Sequence, residues 1–295
     1  MILVLIIFDR PDLTRDALEL IQAVRPDRLH VISDGPSPAR PGCRDRVEAC
    51  RRLVKEYGQG RNVCQHYADR NLGCQQRVLS GLDEVFEEEN EAIVLEDDIR
   101  FSPGFLHFCE AGLKAGSDLG DVGALSVNSF QGLRRRADTP SFRSVYFGSW
   151  GWATWRDRWQ AFRTGRNKMS IFRLEQPPAW LRMNQDEWDF WCDRIGQTTR
   201  GELDSWAYLW QAFCWEQSWF VLRTRANLTR NVGFRTDATH TRDRPPGVMT
   251  DLESWEPQTV AELRSAPRGR GDVVLSDWIR PGSHRWGRRL ARWWR

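Results

Sequence analysis

Four short apolar runs separated by amphipathic segments lie between Ile2 and Asp98, and this alternation narrows the fold more than any other feature. Residues 2–8 form an unbroken apolar run of the kind a strand covered on both faces shows. Residues 12–24 then place Leu13, Ala17, Leu20, Ile21 and Val24 at helical spacing, and Arg25-Pro26 ends the helix. A second strand over 28–33 closes at the turn Asp34-Gly35-Pro36. The pattern continues with a helix from about 43 to 57, a strand over 63–67, a loop through Asp69-Arg70-Asn71-Leu72-Gly73 and a helix from about 74 to 89. A fourth strand, Ala92-Ile93-Val94-Leu95, runs straight into Glu96-Asp97-Asp98. This order predicts an α/β fold with a mostly parallel sheet flanked by helices. Ligands of such sheets bind outside the carboxyl ends of the strands. Asp9, Arg10, Asp34, Arg70, Asp97 and Asp98 are therefore expected on one rim.

Beyond Asp98 the pattern loosens. The spacing predicts a helix over 105–115, a strand over 122–127, a loop around Arg134-Arg135-Arg136, a helix over 201–217 and a strand over 219–222. Residues 227–244 read as a polar loop, and 250–270 as loosely ordered. Eleven of the 16 Trp fall between Trp150 and Trp219. Such rings suit sugar stacking and core packing alike.

The length of 295 residues suffices for a large core. The net charge of +3 is a property of the tail: Ser276–Arg295 hold six Arg against one Asp, and the remainder carries 37 basic and 39 acidic groups. A nucleic-acid-binding face is not expected from so balanced a body. Seven scattered Cys without a C-x-x-C pair fit reduced thiols in a cytoplasmic protein better than a disulfide scaffold or zinc site, and the histidines show no ligand spacing to one another. The apolar start lacks a basic leader region and is too short to span a bilayer.

Three consecutive acids at the exit of an apolar strand repel one another, and a divalent cation removes the conflict. Mg²⁺ or Mn²⁺ takes oxygen ligands from one or two carboxylates, phosphate and water. Asp98 is the first choice as direct ligand, with Glu96 and Asp97 holding a ribose hydroxyl or metal-bound water. A solvated acidic turn is the alternative.

The string Ile93-Val94-Leu95-Glu96-Asp97-Asp98-Ile99 followed by Ser102-Pro103-Gly104-Phe105-Leu106 resembles the signature of GT-A-fold glycosyltransferases, near the N-acetylglucosaminyltransferases acting on mannose in N-glycans. The chain looks most like bacterial sugar transferases that share Phe8-Asp9-Arg10-Pro11, Ser33-Asp34-Gly35-Pro36, Arg70-Asn71-Leu72-Gly73 and Trp150-Gly151-Trp152-Ala153-Thr154-Trp155, over roughly residues 1 to 241. The resemblance implies a GT-A type Rossmann-like sheet with a nucleotide-sugar-binding half (1–128), an acceptor and catalytic half (129–245) and an extension (246–295). It implies that Arg10 and Asp34 lie near the base and ribose and Arg70 near the pyrophosphate or sugar. The triplet would hold Mn²⁺ (or Mg²⁺) on the diphosphate, the donor being a nucleotide sugar with UDP favoured. Neither a P-loop nor an early G-x-G-x-x-G is present, which leaves phosphate to metal and Arg.

Inverting transfer needs a base for the acceptor hydroxyl. Asp204, in an Asp-Ser-Trp element that recurs in the resembling group, is the first candidate and Glu202 the reserve; Asp204 would equally suit the N-cap of the following helix. Asp186, Glu187 and Asp189 are weaker candidates. His240, in a polar loop with Asp237, is a candidate second metal ligand, as a C-terminal His is in many GT-A enzymes; a solvent-exposed loop histidine is the alternative. Trp152 and its neighbours could wall the donor sugar or the acceptor. Residues 283–295 place Trp286, Leu290, Trp293 and Trp294 at helical spacing among five Arg, the pattern of a peripheral helix on anionic lipid, with a disordered basic tail as the alternative. That suits a carbohydrate or lipid-linked acceptor at the inner membrane face. A sugar-phosphate nucleotidyltransferase and a non-catalytic carbohydrate-binding protein are the competing readings.

Overall fold

The computed structural model describes residues 1–116, 119–127, 139–234, 252–254 and 257–268. The first half follows the expected order: β1 (Ile2–Ile7), α1 (Pro11–Val24), β2 (Arg28–Ser33), α2 (Cys43–Tyr57), β3 (Val63–Tyr67), α3 (Cys74–Glu88) and β4 (Glu91–Glu96). After it come β5 (Ile99–Phe101), α4 (Pro103–Lys114), β6 (Val122–Ser126), β7 (Ser141–Ser144), β8 (Trp152–Trp155) and α5 (Arg156–Gly165). α6 (Gln185–Thr199), α7 (Ala207–Glu216), β9 (Phe220–Thr224), β10 (Thr229–Asn231) and α8 (Val260–Arg264) complete the described chain.

One eight-stranded sheet runs β3-β2-β1-β4-β8-β6-β9-β7. The pairs β1–β2, β1–β4, β2–β3 and β6–β9 are parallel, whereas β8 is antiparallel to β4 and β6, and β7 to β9. The fold is thus Rossmann-like α/β with a mostly parallel sheet between two helical layers.

Strand alternation builds those layers. Leu3, Leu5, Ile7, Ile93 and Leu95 face α1, α2, α4 and α8, while Val4, Ala92 and Val94 face α3, α5, α6 and α7. The second layer absorbs most of the Trp. Trp152, Trp159, Trp188, Trp191, Trp210 and Trp215 are all below 2% exposed. Trp152 stacks on Trp206 at 5.2 Å between ring centroids and meets Phe147 edge-on at 5.2 Å. Each such pair adds about 0.5–1.5 kcal/mol to the burial of its area.

Two loop readings fail in the second half. Residues 227–244 were expected to be loop throughout, yet β10 pairs antiparallel with β5, and Val232 N–H extends the contact by donating to the Asp98 carbonyl at 2.8 Å. Backbone hydrogen bonding needs no apolar pattern, so a polar strand like this leaves little mark on the sequence. Within 250–270, α8 is a regular turn of helix closed by a Thr259–Glu262 capping box, with Leu263 fully buried. Asp186 and Glu187 lie in the first turn of α6 and Asp189 just past it; Glu187 is fully buried and accepts from the Tyr146 hydroxyl. Among the described residues no helix is long and apolar enough to cross a membrane.

Candidate active site at the strand exits

β1, β2, β3 and β4 are parallel neighbours, so the residues that follow them meet at one end of the sheet. Asp9 and Arg10 follow β1, Asp34 follows β2, Asp69 and Arg70 follow β3, and Asp97 and Asp98 follow β4.

Asp97 and Asp98 are 1% and 7% exposed, and Arg10 stands between them. Its Nη1 donates to Asp98 Oδ2 at 2.9 Å, and its Nη2 donates to Asp97 Oδ1. One guanidinium thus faces two buried carboxylates, with Glu96 beside them on the α3 side of the strand. Glu96 accepts no hydrogen bond among the described residues. Asp97 Oδ2 and Asp98 Oδ1 are buried without a hydrogen-bond partner. Such oxygens are costly unless a cation meets them. Burial, and after it the negative neighbour Asp98, pushes the Glu96 carboxyl up to about 8. Burial likewise raises Asp97 to about 7 against the pull of Arg10. Residue 233 must be glycine here, because a Cβ would lie 2.3 Å from Asp98 Oδ2. The segment after β10 therefore roofs the carboxylates at backbone distance.

Asp34 organises the neighbouring loop. Its carboxylate accepts from the Leu72 N–H at 2.9 Å, the Gly73 N–H at 3.0 Å and the Asn71 Nδ2 at 2.9 Å, besides the N–H of Gly35. Gly35 permits this closeness, since a Cβ there would lie 2.3 Å from the Arg70 carbonyl carbon. Burial raises the Asp34 carboxyl despite those donors. Asp34 thus acts on the rim by holding the 70–73 loop. Arg70 is left exposed at its tip, with no hydrogen bond or ion pair among the described residues.

Asp204 reaches the same place from the other half of the chain. Its Oδ2 accepts from the Cys74 N–H at 2.8 Å and its Oδ1 from the Gln75 N–H at 2.7 Å. It caps α3, whose own N-cap is Gly73, while α7 begins after Trp206. A carboxylate has about four acceptor positions, so two remain on exposed Asp204 for an incoming hydroxyl. Cys74 marks the convergence: its thiol is pushed up by burial first, then by Glu96, Asp204 and Asp34, with Arg10 pulling the other way.

The other expected residues are engaged in contacts of their own or lie apart. Trp152 is a correction: at 1% exposure among Phe147, Trp206 and Trp210 it has no ring face left for a sugar. Arg10 spends its guanidinium on Asp97 and Asp98. Glu202 is exposed and chelated by Arg200 at 2.7 and 2.9 Å, which holds its carboxyl below the usual range. His240, Asp237, the Arg134–Arg136 cluster and the tail 283–295 lie outside the described residues. Sequence reasoning missed Gly233, whose signal needs the β5–β10 pairing, and Cys74.

The fold and rim define an α/β protein with an acidic, arginine-flanked site at the exits of parallel strands. No protein-family model and no curated protein matches the chain. Among solved structures it is similar to HddC from Yersinia pseudotuberculosis, at 11% identity over 53% of this chain and 78% of that one, with a TM-score of 0.34. A further likeness is to residues 1–349 of TarS from S. aureus, at 10% identity over 58% of this chain and 50% of that one, TM-score 0.36. A Bacillus anthracis chain described provisionally as a glucose-1-phosphate thymidylyltransferase, in complex with sucrose, scores 0.35 at 11% identity over 66% and 84%. Such partial likenesses assign no activity, and the chain spans about half of the TarS fragment.

Proposed function

We propose that this chain is a metal-dependent glycosyltransferase that moves a sugar from a nucleoside-diphosphate sugar to a hydroxyl acceptor. The observation that carries the reading is the pair of buried, partnerless oxygens, Asp97 Oδ2 and Asp98 Oδ1, beside Arg10 and within one rim with Arg70 and Asp204. Two carboxylates offering free hard oxygen donors fit Mn²⁺ or Mg²⁺. Asp98 with Asp97 would hold the ion, which supplies positive charge to a departing diphosphate.

The remaining chemistry belongs to the chain's own side chains. Arg70, unpaired among the described residues and carried on a loop fastened by Asp34, would bind diphosphate oxygens. Asp204 is the base for the acceptor hydroxyl, in which role transfer proceeds with inversion. Its two hydrogen bonds to the start of α3 fix the carboxylate's direction while leaving acceptor capacity. The alternative, nucleotidyl transfer, predicts a preference for nucleoside triphosphates.

Calorimetric titration with UDP and other nucleoside diphosphates, with and without Mn²⁺, tests the reading. Diphosphate binding that requires the metal is expected; tighter triphosphate binding, or binding indifferent to Mn²⁺, would discard it. A screen of nucleotide sugars for slow hydrolysis then names the donor.

The raised carboxyls add a pH signature. Glu96 and Asp97 keep protons in the folded chain that the unfolded chain releases near 4.5 and 3.8. Their contribution to stability is full below that range and is lost as pH rises towards about 8. A cation binding the ionised forms reverses the loss. The melting-temperature gain from saturating Mn²⁺, measured against chelator, should therefore widen from pH 5 to pH 8. Taking the difference cancels groups of opposite sense, such as His30, which burial pushes down. A gain that is flat or shrinks with pH counts against metal on these carboxylates.

A further inference from the structure

A second cluster of ligand-type side chains lies at the other end of the sheet. β2 and β3 pair in parallel with His30 opposite Cys64 and Ile32 opposite His66. All four side chains face α3, and α3 presents Glu84 and Glu88 one helical turn apart. No sequence spacing shows this, because the three histidine and cysteine positions meet only through strand pairing.

The contacts are specific. His30 is fully buried; its Nδ1 lies 2.9 Å from His66 Nε2, and its Nε2 lies 3.1 Å from Glu89 Oε1. The two rings stack at 5.2 Å, and His66 Nδ1 lies 2.9 Å from Glu84 Oε2. Ligand atoms of His30, Cys64 and Glu88 all fall within 4.8 Å of one another. Ligand atoms around a tetrahedral zinc ion are separated by about 3.3–3.8 Å, so a closure of about 1 Å completes the geometry.

We propose that His30, Cys64 and Glu88, with Glu89 beside them, form a second cation site, selective for zinc-class ions over Mn²⁺ or Mg²⁺. Imidazole and thiolate are borderline-soft donors, unlike the all-oxygen set at the strand exits. His30 Nε2 is the ligating nitrogen: it points at Glu89, and the ion would take the place of that contact, while Nδ1 stays on His66. With the ion on Nε2, the Nδ1–H of His30 donates to His66 Nε2, and the Nδ1–H of His66 donates to Glu84. Both rings are then neutral and every hydrogen bond in the chain is made. A ligating histidine whose second nitrogen is held in this way is the usual arrangement around protein-bound metals. The Cys64 thiol gives its proton to solvent on binding. Arg28, which donates to Glu88 at 3.1 Å and to Glu89 at 2.9 Å, supplies positive charge there in the ion's absence. Its side chain is 35% exposed and can turn outward when the ion enters. The bound ion ties edge strand β3 to β2 and to the end of α3.

Titration of the full-length Asp98→Asn protein with Co²⁺, followed by absorption, tests the proposal with the acidic rim disabled. One equivalent should produce tetrahedral d–d bands and a thiolate-to-cobalt charge-transfer band, both displaced by Zn²⁺. Adding Cys64→Ser, on the half-exposed edge strand, should remove the charge-transfer band, whereas Cys192→Ser should leave it. Glu84→Gln should weaken binding by about 10–100-fold. A folded protein without the charge-transfer band, or a band that survives Cys64→Ser, overturns the site. Neither outcome bears on the proposed transferase reading, whose readout is Mn²⁺-dependent nucleotide binding.

Discussion

Asp98→Asn should reduce sugar transfer at least about a thousandfold, while the metal-free protein melts at the same temperature as the parent or higher. The two halves of that result have one cause. Asp98 contributes a buried oxygen without a hydrogen-bond partner to a cluster of three acids facing a single guanidinium. Asparagine keeps the shape and can still accept from Arg10, so the fold loses little. Removing the charge also relieves the repulsion that adds to burial in raising Glu96 and Asp97. What disappears is an anionic ligand for the ion that the proposed reaction needs, and metal stabilisation of a leaving group is worth several kcal/mol. At about 1.4 kcal/mol per tenfold, that is a thousandfold or more. Release of nucleoside diphosphate from the donor found in the screen measures the first half, and thermal unfolding in chelator the second. Retained turnover would remove Asp98 from the site. A large drop in melting temperature would make it a structural residue instead.

Arg10→Met is expected to have the largest effect on stability, about 3–5 kcal/mol at pH 8, the usual cost of breaking a buried ion pair from one side. Arg10 is 19% exposed on its side chain, and its partners Asp97 and Asp98 are 2% and 9% exposed, so water cannot replace the guanidinium. The loss should shrink at pH 5, where the carboxyls of the variant can take up protons in place of the missing charge. It should also shrink in Mn²⁺, because an ion bound only by the folded chain at a hundred times its dissociation constant restores about 2.7 kcal/mol. Denaturant unfolding at the two pH values, with and without Mn²⁺, measures all three effects. A variant as stable as the parent at pH 8 in chelator would show that the acids are not in conflict and need no resident cation.

Much of the rim was legible in the residues themselves. An apolar strand followed at once by three acids leaves a charge conflict at a strand exit wherever the sheet is built. Parallel order then brings Arg10, Asp34 and Arg70 to the same end. Asp34 shows the limit of that reading: a turn acid beside a ligand and a turn acid that ties down a loop look alike until its four donors from Gly35 and the 71–73 segment are seen. Trp152 shows another. Aromatic density marks surfaces that stack, but a sugar platform and an aromatic core share one composition, and only burial separates them.

The sequence by itself determined the succession of strands and helices in the first half and the acidic exit, because apolar periodicity and charge are local properties of the chain. Tertiary structure alone decided that Arg10 neutralises two of the three acids, that Asp204 caps α3 and not its own helix, and that Gly233 covers Asp98. It alone set His30 beside Cys64 and His66. Each of these joins residues more than thirty positions apart, and such contacts depend on strand register and helix docking, which chain-local pattern does not encode.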